Sequence, residues 1–158
     1  MNSFSHLDEK GNIKMVDVSE KSVSLRKAIA RSTVHLPDEI QAKFQDTEIH
    51  TKKGPVFQTA IIAGIMAAKK TGELIPLCHP IGLDNCSITI KFNEQSELEI
   101  LCEASITSKT GVEMEALMGA SIAALTVYDM CKALSHDIVI REIKLLSKTG
   151  GKNDFKRS

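Results

Sequence analysis

Tryptophan is absent from these 158 residues, and tyrosine and phenylalanine together bring the aromatic content to only 4%. A platform on which single-stranded nucleic acid stacks its bases is therefore not expected, and the core must be built from Ala, Ile, Leu and Met. Cysteine is scarce: Cys78, Cys86, Cys102 and Cys131 show no CxxC spacing and sit among apolar neighbours, as buried free thiols in a reducing compartment do. Charge of one sign is lacking too, since twenty basic residues balance twenty acidic ones. Anion binding must then come from a local cluster rather than a field over the whole surface, and neither nucleic acid nor a membrane surface is an expected partner. No apolar run reaches the roughly 18 residues of a membrane span. The opening MNSFSHLDEKGN is too polar for a secretory signal, so a cytoplasmic protein is expected. What is present is 42% apolar content, enough for the core of one domain.

Periodicity places the elements. Residues 1–12 are polar and expected to be flexible, with a single domain over residues 13–155. MVDVS, then Val23, Leu25, Ile29 and Thr33, alternate with period two and predict strands, with Arg26 on the face of Ala28 and Ala30. PDEIQAKF predicts a short helix and TEIHTKKG a loop. Pro55 opens a helix over VFQTAIIAGIMAAKK. Pro76 and Pro80 bracket Leu77, Cys78 and His79 in a stiff loop. Alternation on either side of NEQSE predicts an antiparallel hairpin. Thr110 and Glu113 have capping-box spacing at the start of a helix running to about Leu134. DIVIREIKLL reads as a last strand before the basic tail SKTGGK. The order predicts an α+β sandwich with two long helices on one face of an antiparallel sheet.

Chemistry concentrates at a few points. From Ala116 to Tyr128 the long helix is apolar around nearly its whole circumference, so a second covering surface is needed, either the other apolar helix or a second subunit. Asp129 and Lys132 follow three residues apart, an exposed ion pair or, among the core-like Tyr128, Met130 and Cys131, a partly buried acid–base pair with shifted pKa values. Glu115 lies fourteen residues before Asp129, about 21 Å along a helix, so one small ligand does not reach both on one chain. Glu113 has a structural role in the capping box. Cys78 and His79 are adjacent and lack a second ligand pair, so no metal site is expected; a rigid loop presenting its amides and imidazole to a ligand fits better. Lys52, Lys53 and Gly54 precede a helix and read as either a solvated loop or a phosphate site. Lys148, Gly150, Gly151 and Lys152 make a second basic cluster.

Taken together, MVDVS, KKGPVFQTAIIAGIMAAKKT, LIPLCHPI, KTGVEMEALMGASIAALTVYDMCKA and LLSKTGGK resemble the MoaC family of molybdenum cofactor biosynthesis, from about Ser5 to Phe155. The resemblance implies a ferredoxin-like α+β fold assembled as a homohexamer, a trimer of dimers, with sites between subunits. It implies conversion of (8S)-3′,8-cyclo-7,8-dihydroguanosine 5′-triphosphate, a GTP-derived cyclic nucleotide supplied by a radical SAM enzyme, to cyclic pyranopterin monophosphate with release of pyrophosphate. Asp129 and Lys132 match the acid–base pair. Leu77, Cys78, His79, Glu113, Met114 and Glu115 match substrate-binding positions, and Arg26, Lys53, Lys148 and Lys152 match basic residues around the triphosphate. No organic cofactor is implied, and Mg²⁺ is compatible with the triphosphate. Pro55 departs from the family pattern, which more often has Asp after Lys-Gly. The competing reading is a non-catalytic, oligomeric nucleotide-binding regulatory module.

Overall fold

The computed structural model describes residues 6–8 and 10–157. Its organising strand is β1 (Ser24–His35), where Arg26, Ala28, Ala30, Ser32 and Val34 share one buried face with period two. It pairs antiparallel with β6 (Leu98–Ser108) on one side and β7 (Val139–Thr149) on the other. Beyond these lie β5 (Asn85–Phe92) and β8 (Phe155–Lys156), giving a sheet of order β5-β6-β1-β7-β8. Two long helices, α2 (Val56–Lys69) and α4 (Glu113–Cys131), pack on it, α4 over β1, β6 and β7 and α2 over β5. The α+β arrangement expected from the sequence is therefore present.

Small residues decide how close the layers come. Ala28, Ala30 and Ser32 on β1 and Ala116, Ala120, Ala123 and Ala124 on α4 are all buried where α4 packs on β1, and Ser32 Oγ donates to the Ala120 carbonyl at 2.7 Å. Where the two helices cross, a Cβ on Gly64 would stand 2.7 Å from the Gly119 carbonyl oxygen, and one on Gly119 would stand 2.5 Å from Cys102 Sγ. The helix crossing therefore requires glycine at position 64, and the seat of α4 on β6 requires it at position 119. The opposite face of the sheet is charged: Arg31 reaches Glu99 at 3.3 Å and Glu142 at 2.8 Å. The four cysteines are free thiols, Cys102 and Cys131 buried. Among the described residues no helix is long and apolar enough to cross a membrane.

Several expectations need correction. MVDVS is not a strand: Asp17 Oδ1 accepts from Ser19 N at 2.8 Å, a local turn that competes with extended pairing. The helix in PDEIQAKF, α1, stops at Gln41 (Asp38–Gln41), because Phe44–Gln45 becomes β2. TEIHTKKG is not a loop; it forms β3 (Glu48–Thr51) and β4 (Gly54–Pro55), which with β2 make a small second sheet. A short α3 (Thr71–Leu74) precedes the proline-bracketed loop. The last strand extends to Thr149, and the basic tail is a bend that returns as β8, held by Gly150 N donating to Asp154 Oδ1 at 3.0 Å. Of the segment expected to be flexible, residues 1–5 and 9 lie outside the described residues. The rest turns at Asp8, which accepts from Lys10 N and Asn12 N, and bridges Leu7 to Ile13.

Candidate active site

The sequence-predicted site residues fall into two groups at opposite ends of α4. At its amino end the proline-bracketed loop meets Met114 and Glu115 across a cavity of about 490 Å³, lined also by Val16 and Val18. Leu77, Cys78 and His79 all line it. His79 Nε2 lies 2.8 Å from the Val16 carbonyl oxygen; a carbonyl only accepts, so the ring carries its proton on Nε2. The stretch MVDVS thus serves as a rim rather than a strand, pinned again where Lys109 Nζ donates to the Ser19 carbonyl at 2.7 Å.

Glu115 is the unusual group here. It is 4% exposed, and burial, helped by the neighbouring Glu113 charge, pushes its carboxyl up to about 7. A carboxyl poised there exchanges protons near neutrality. Burial and then the Glu115 charge also raise the Cys78 thiol, so Cys78 stands as a neutral thiol and not a nucleophile.

A second cavity of about 440 Å³ joins the first through Lys21, Thr110, Gly111, Glu113 and Lys148. Lys21, Arg26, Lys27, Lys109, Lys148 and Lys152 surround it, against the single carboxylate of Glu113. Arg26 is held by the Ser108 and Ser22 carbonyls, both at 3.3 Å, and its Nη1 lies beside Gly151. The expected capping box is not formed: Val112 is the residue before α4, no side chain caps it, and Glu113 Oε1 instead accepts from Lys148 Nζ at 2.9 Å. Thr110, Gly111 and Glu113 at the start of α4 line the cationic cavity, and a helix start is a favourable place for a polyanion. Sequence reasoning missed Lys21, Lys27 and Lys109. Lys109 is legible in retrospect, because KTG directly precedes the helix start; Lys21 and Lys27 carry no signal beyond their charge.

At the other end of α4, Asp129 lies between two ammonium groups. Oδ1 is 2.8 Å from Lys132 Nζ and Oδ2 is 2.8 Å from Lys53 Nζ, which also donates to the Asp129 main-chain oxygen. The hydrogen bond from Lys132, then that from Lys53, hold the Asp129 carboxyl down at about 2, and Asp129 in turn raises Lys132. The expectation of a partly buried pair is not met within one chain, since the Asp129 side chain is 55% exposed and that of Lys132 48%. Lys53 belongs to this group and not to the cationic cavity. Two amides at the start of α2 are already taken, which favours the solvated-loop reading of Lys52–Gly54: Glu48 Oε1 accepts from Phe57 N at 2.7 Å and Oε2 from Gln58 N at 3.1 Å.

Comparison with known proteins shows the family. The MoaC family profile matches residues 15–151. This chain belongs to the MoaC family. It is 52% identical over 152 residues to a cyclic pyranopterin monophosphate synthase of Xanthomonas campestris pv. campestris (strain B100), covering 96% of this chain and 92% of that protein. It is 50% identical over 161 residues to the cyclic pyranopterin monophosphate synthase of Bacillus velezensis, covering 99% and 94%. It is also 49% identical to a molybdenum cofactor biosynthesis bifunctional protein of Synechocystis sp., covering 98% of this chain and 46% of that one. Within this MoaC chain, the loop Leu77–His79 and the first turn of α4 form one continuous wall, and the last turn of α4 forms a separate surface.

Proposed function

We propose that this protein is a cyclic pyranopterin monophosphate synthase, converting (8S)-3′,8-cyclo-7,8-dihydroguanosine 5′-triphosphate to cyclic pyranopterin monophosphate and pyrophosphate in molybdenum cofactor biosynthesis. The observation that carries the reading is the continuity of two unlike cavities. One is edged by six cations and a helix start, suited to a triphosphate whose pyrophosphate must leave with its charge stabilised. The other is lined by Leu77, Cys78, His79, Met114 and the near-neutral Glu115, suited to a ring system that undergoes proton transfers.

Asp129 and Lys132 are the acid–base pair in this reading, with Lys53 beside them. In the isolated chain the Asp129 carboxylate is too acidic and the Lys132 ammonium too basic to trade a proton near neutrality. Covering by a second subunit removes the water that keeps both charged, and a substrate group displaces one of the two amines. Such covering has physical support, because Ile62 and Met66 on α2 and Leu125 on α4 are 61%, 50% and 54% exposed, an apolar surface that a partner subunit would bury. A homohexamer built as a trimer of dimers, acting in the cytoplasm on substrate from a radical SAM enzyme, is the assembly we propose.

Among the described residues no three His, Cys, Asp or Glu side chains converge as metal ligands. The donor set does not fit a resident metal: Glu113 is paired with Lys148, and Glu115 is raised toward its neutral form. We propose that any Mg²⁺ is carried by the triphosphate and that no organic cofactor takes part. The test is pyrophosphate release from the purified cyclic triphosphate. Release by the wild type and its loss in Lys148→Met and Asp129→Asn is the expected result, whereas binding without release by the wild type would leave the regulatory module.

A further inference from the structure

Glu48 is a buried carboxylate, 7% exposed, with three amide partners. Oε1 accepts from Ile49 N at 2.8 Å and Phe57 N at 2.7 Å, and Oε2 accepts from Gln58 N at 3.1 Å. Two of these amides open α2, whose preceding residue, Pro55, has no side-chain group to cap them. A carboxylate arriving from β3 therefore does what an N-cap side chain does elsewhere, at the positive end of the helix dipole. The bond also closes a loop of chain, since the whole β3–β4 hairpin lies between Glu48 and Phe57. Its turn is tied by Lys53 N donating to Thr51 Oγ1 at 3.2 Å and Thr51 Oγ1 donating to the Gly54 carbonyl at 3.3 Å. Lys53 stands at that turn, with its amine on Asp129. The Glu48 charge also reaches the last turn of α4: after burial, it is what pushes Cys131 up to about 11.

We infer that Glu48 is a positioning residue: by closing β3 onto the amino end of α2, its carboxylate holds the hairpin where the Lys53 amine meets Asp129. The geometric statement stands on the hydrogen bonds alone; its consequence for turnover rests on the proposed function.

The sign of one measurement separates positioning from simple charge. Removing a negative group near Asp129 lowers the Asp129 midpoint by direct electrostatics, whereas releasing Lys53 raises it. The experiment is carbon NMR titration of the Asp129 carboxyl in full-length wild type, Glu48→Ala, Glu48→Gln, Lys53→Met and Lys53→Met with Glu48→Ala. Glu48→Ala is expected to raise the Asp129 midpoint from about 2 by most of the shift seen in Lys53→Met, and to add nothing in the Lys53→Met background. Glu48→Gln, which keeps the shape and one acceptor, is expected to raise it less, and it decides the matter if Glu48→Ala does not fold. An unchanged or lowered midpoint in a folded Glu48 variant overturns the proposal. In parallel, kcat should fall at least tenfold in Glu48→Ala and Lys53→Met alike, with KM nearly constant. A moved midpoint with unchanged kcat would uphold the positioning and contradict the chemical role given to Asp129.

Discussion

Lys148 Nζ donates to Glu113 Oε1 at 2.9 Å, which joins the end of β7 to the first turn of α4 at the point where the two cavities meet. A substrate triphosphate competes with Glu113 for that amine. Lys148→Met should therefore raise KM and lower kcat/KM at least tenfold, the loss of one charge-assisted contact, while thermal stability changes by less than about 1 kcal/mol because the pair is part-exposed. Steady-state pyrophosphate release over a range of ionic strength checks this. The salt dependence of KM should weaken in the variant, and an unchanged KM would remove Lys148 from the triphosphate.

Glu115 makes stability depend on pH. Its carboxyl titrates at about 7 in the fold against 4.5 as the ordinary value. Below 4.5 it is neutral in folded and unfolded chains, and its contribution is whole. As the pH rises through 7 the fold must ionise a buried group, and the contribution is lost. Urea unfolding at pH 5 and pH 8 should show wild type losing on the order of 2 kcal/mol more than Glu115→Gln over that interval. Equal losses would mean that Glu115 is solvated.

Much of the fold was legible where one period dominated. The hairpin around NEQSE appears with Phe92 opposite Leu98, and both long helices are present, α2 starting one residue after the expected Pro55 and α4 two residues after the start that a Thr110 cap implies. The misreadings come from side chains acting at a distance. Nothing in TEIHTKKG announces that Glu48 caps a helix beginning eight residues further on, so its polar, glycine-containing run reads as a loop. The capping-box spacing of Thr110 and Glu113 is real, but Lys148 from a distant strand wins the carboxylate. Likewise the motifs located Lys53 without saying which anion it meets, and the ion pair with Asp129 belongs to tertiary structure.

The packing of α4 on β6 leaves no room at Gly119. A methyl there would meet Cys102 Sγ at 2.5 Å, and overpacking of a close core contact costs about 1–3 kcal/mol. Gly119→Ala should lower the melting temperature, and Cys102→Ala should restore part of the loss by vacating the sulfur's place. A double-mutant cycle by thermal unfolding measures the coupling; additive effects would mean that the contact is relieved elsewhere.

In the proposed homohexamer one working site draws Glu115 from one end of α4 and Asp129 from the other end of a neighbour's α4, since about 21 Å of helix separates them on one chain. The direct measurement is subunit complementation. Purified Asp129→Asn and Glu115→Gln, each expected to be inactive, are mixed under conditions of subunit exchange, and pyrophosphate release is followed. Shared sites predict recovery of about a quarter of wild-type activity, because mixed pairs carry one site with both residues intact. No recovery from mixtures shown to contain both variants in one oligomer would mean that each site is built within a single chain.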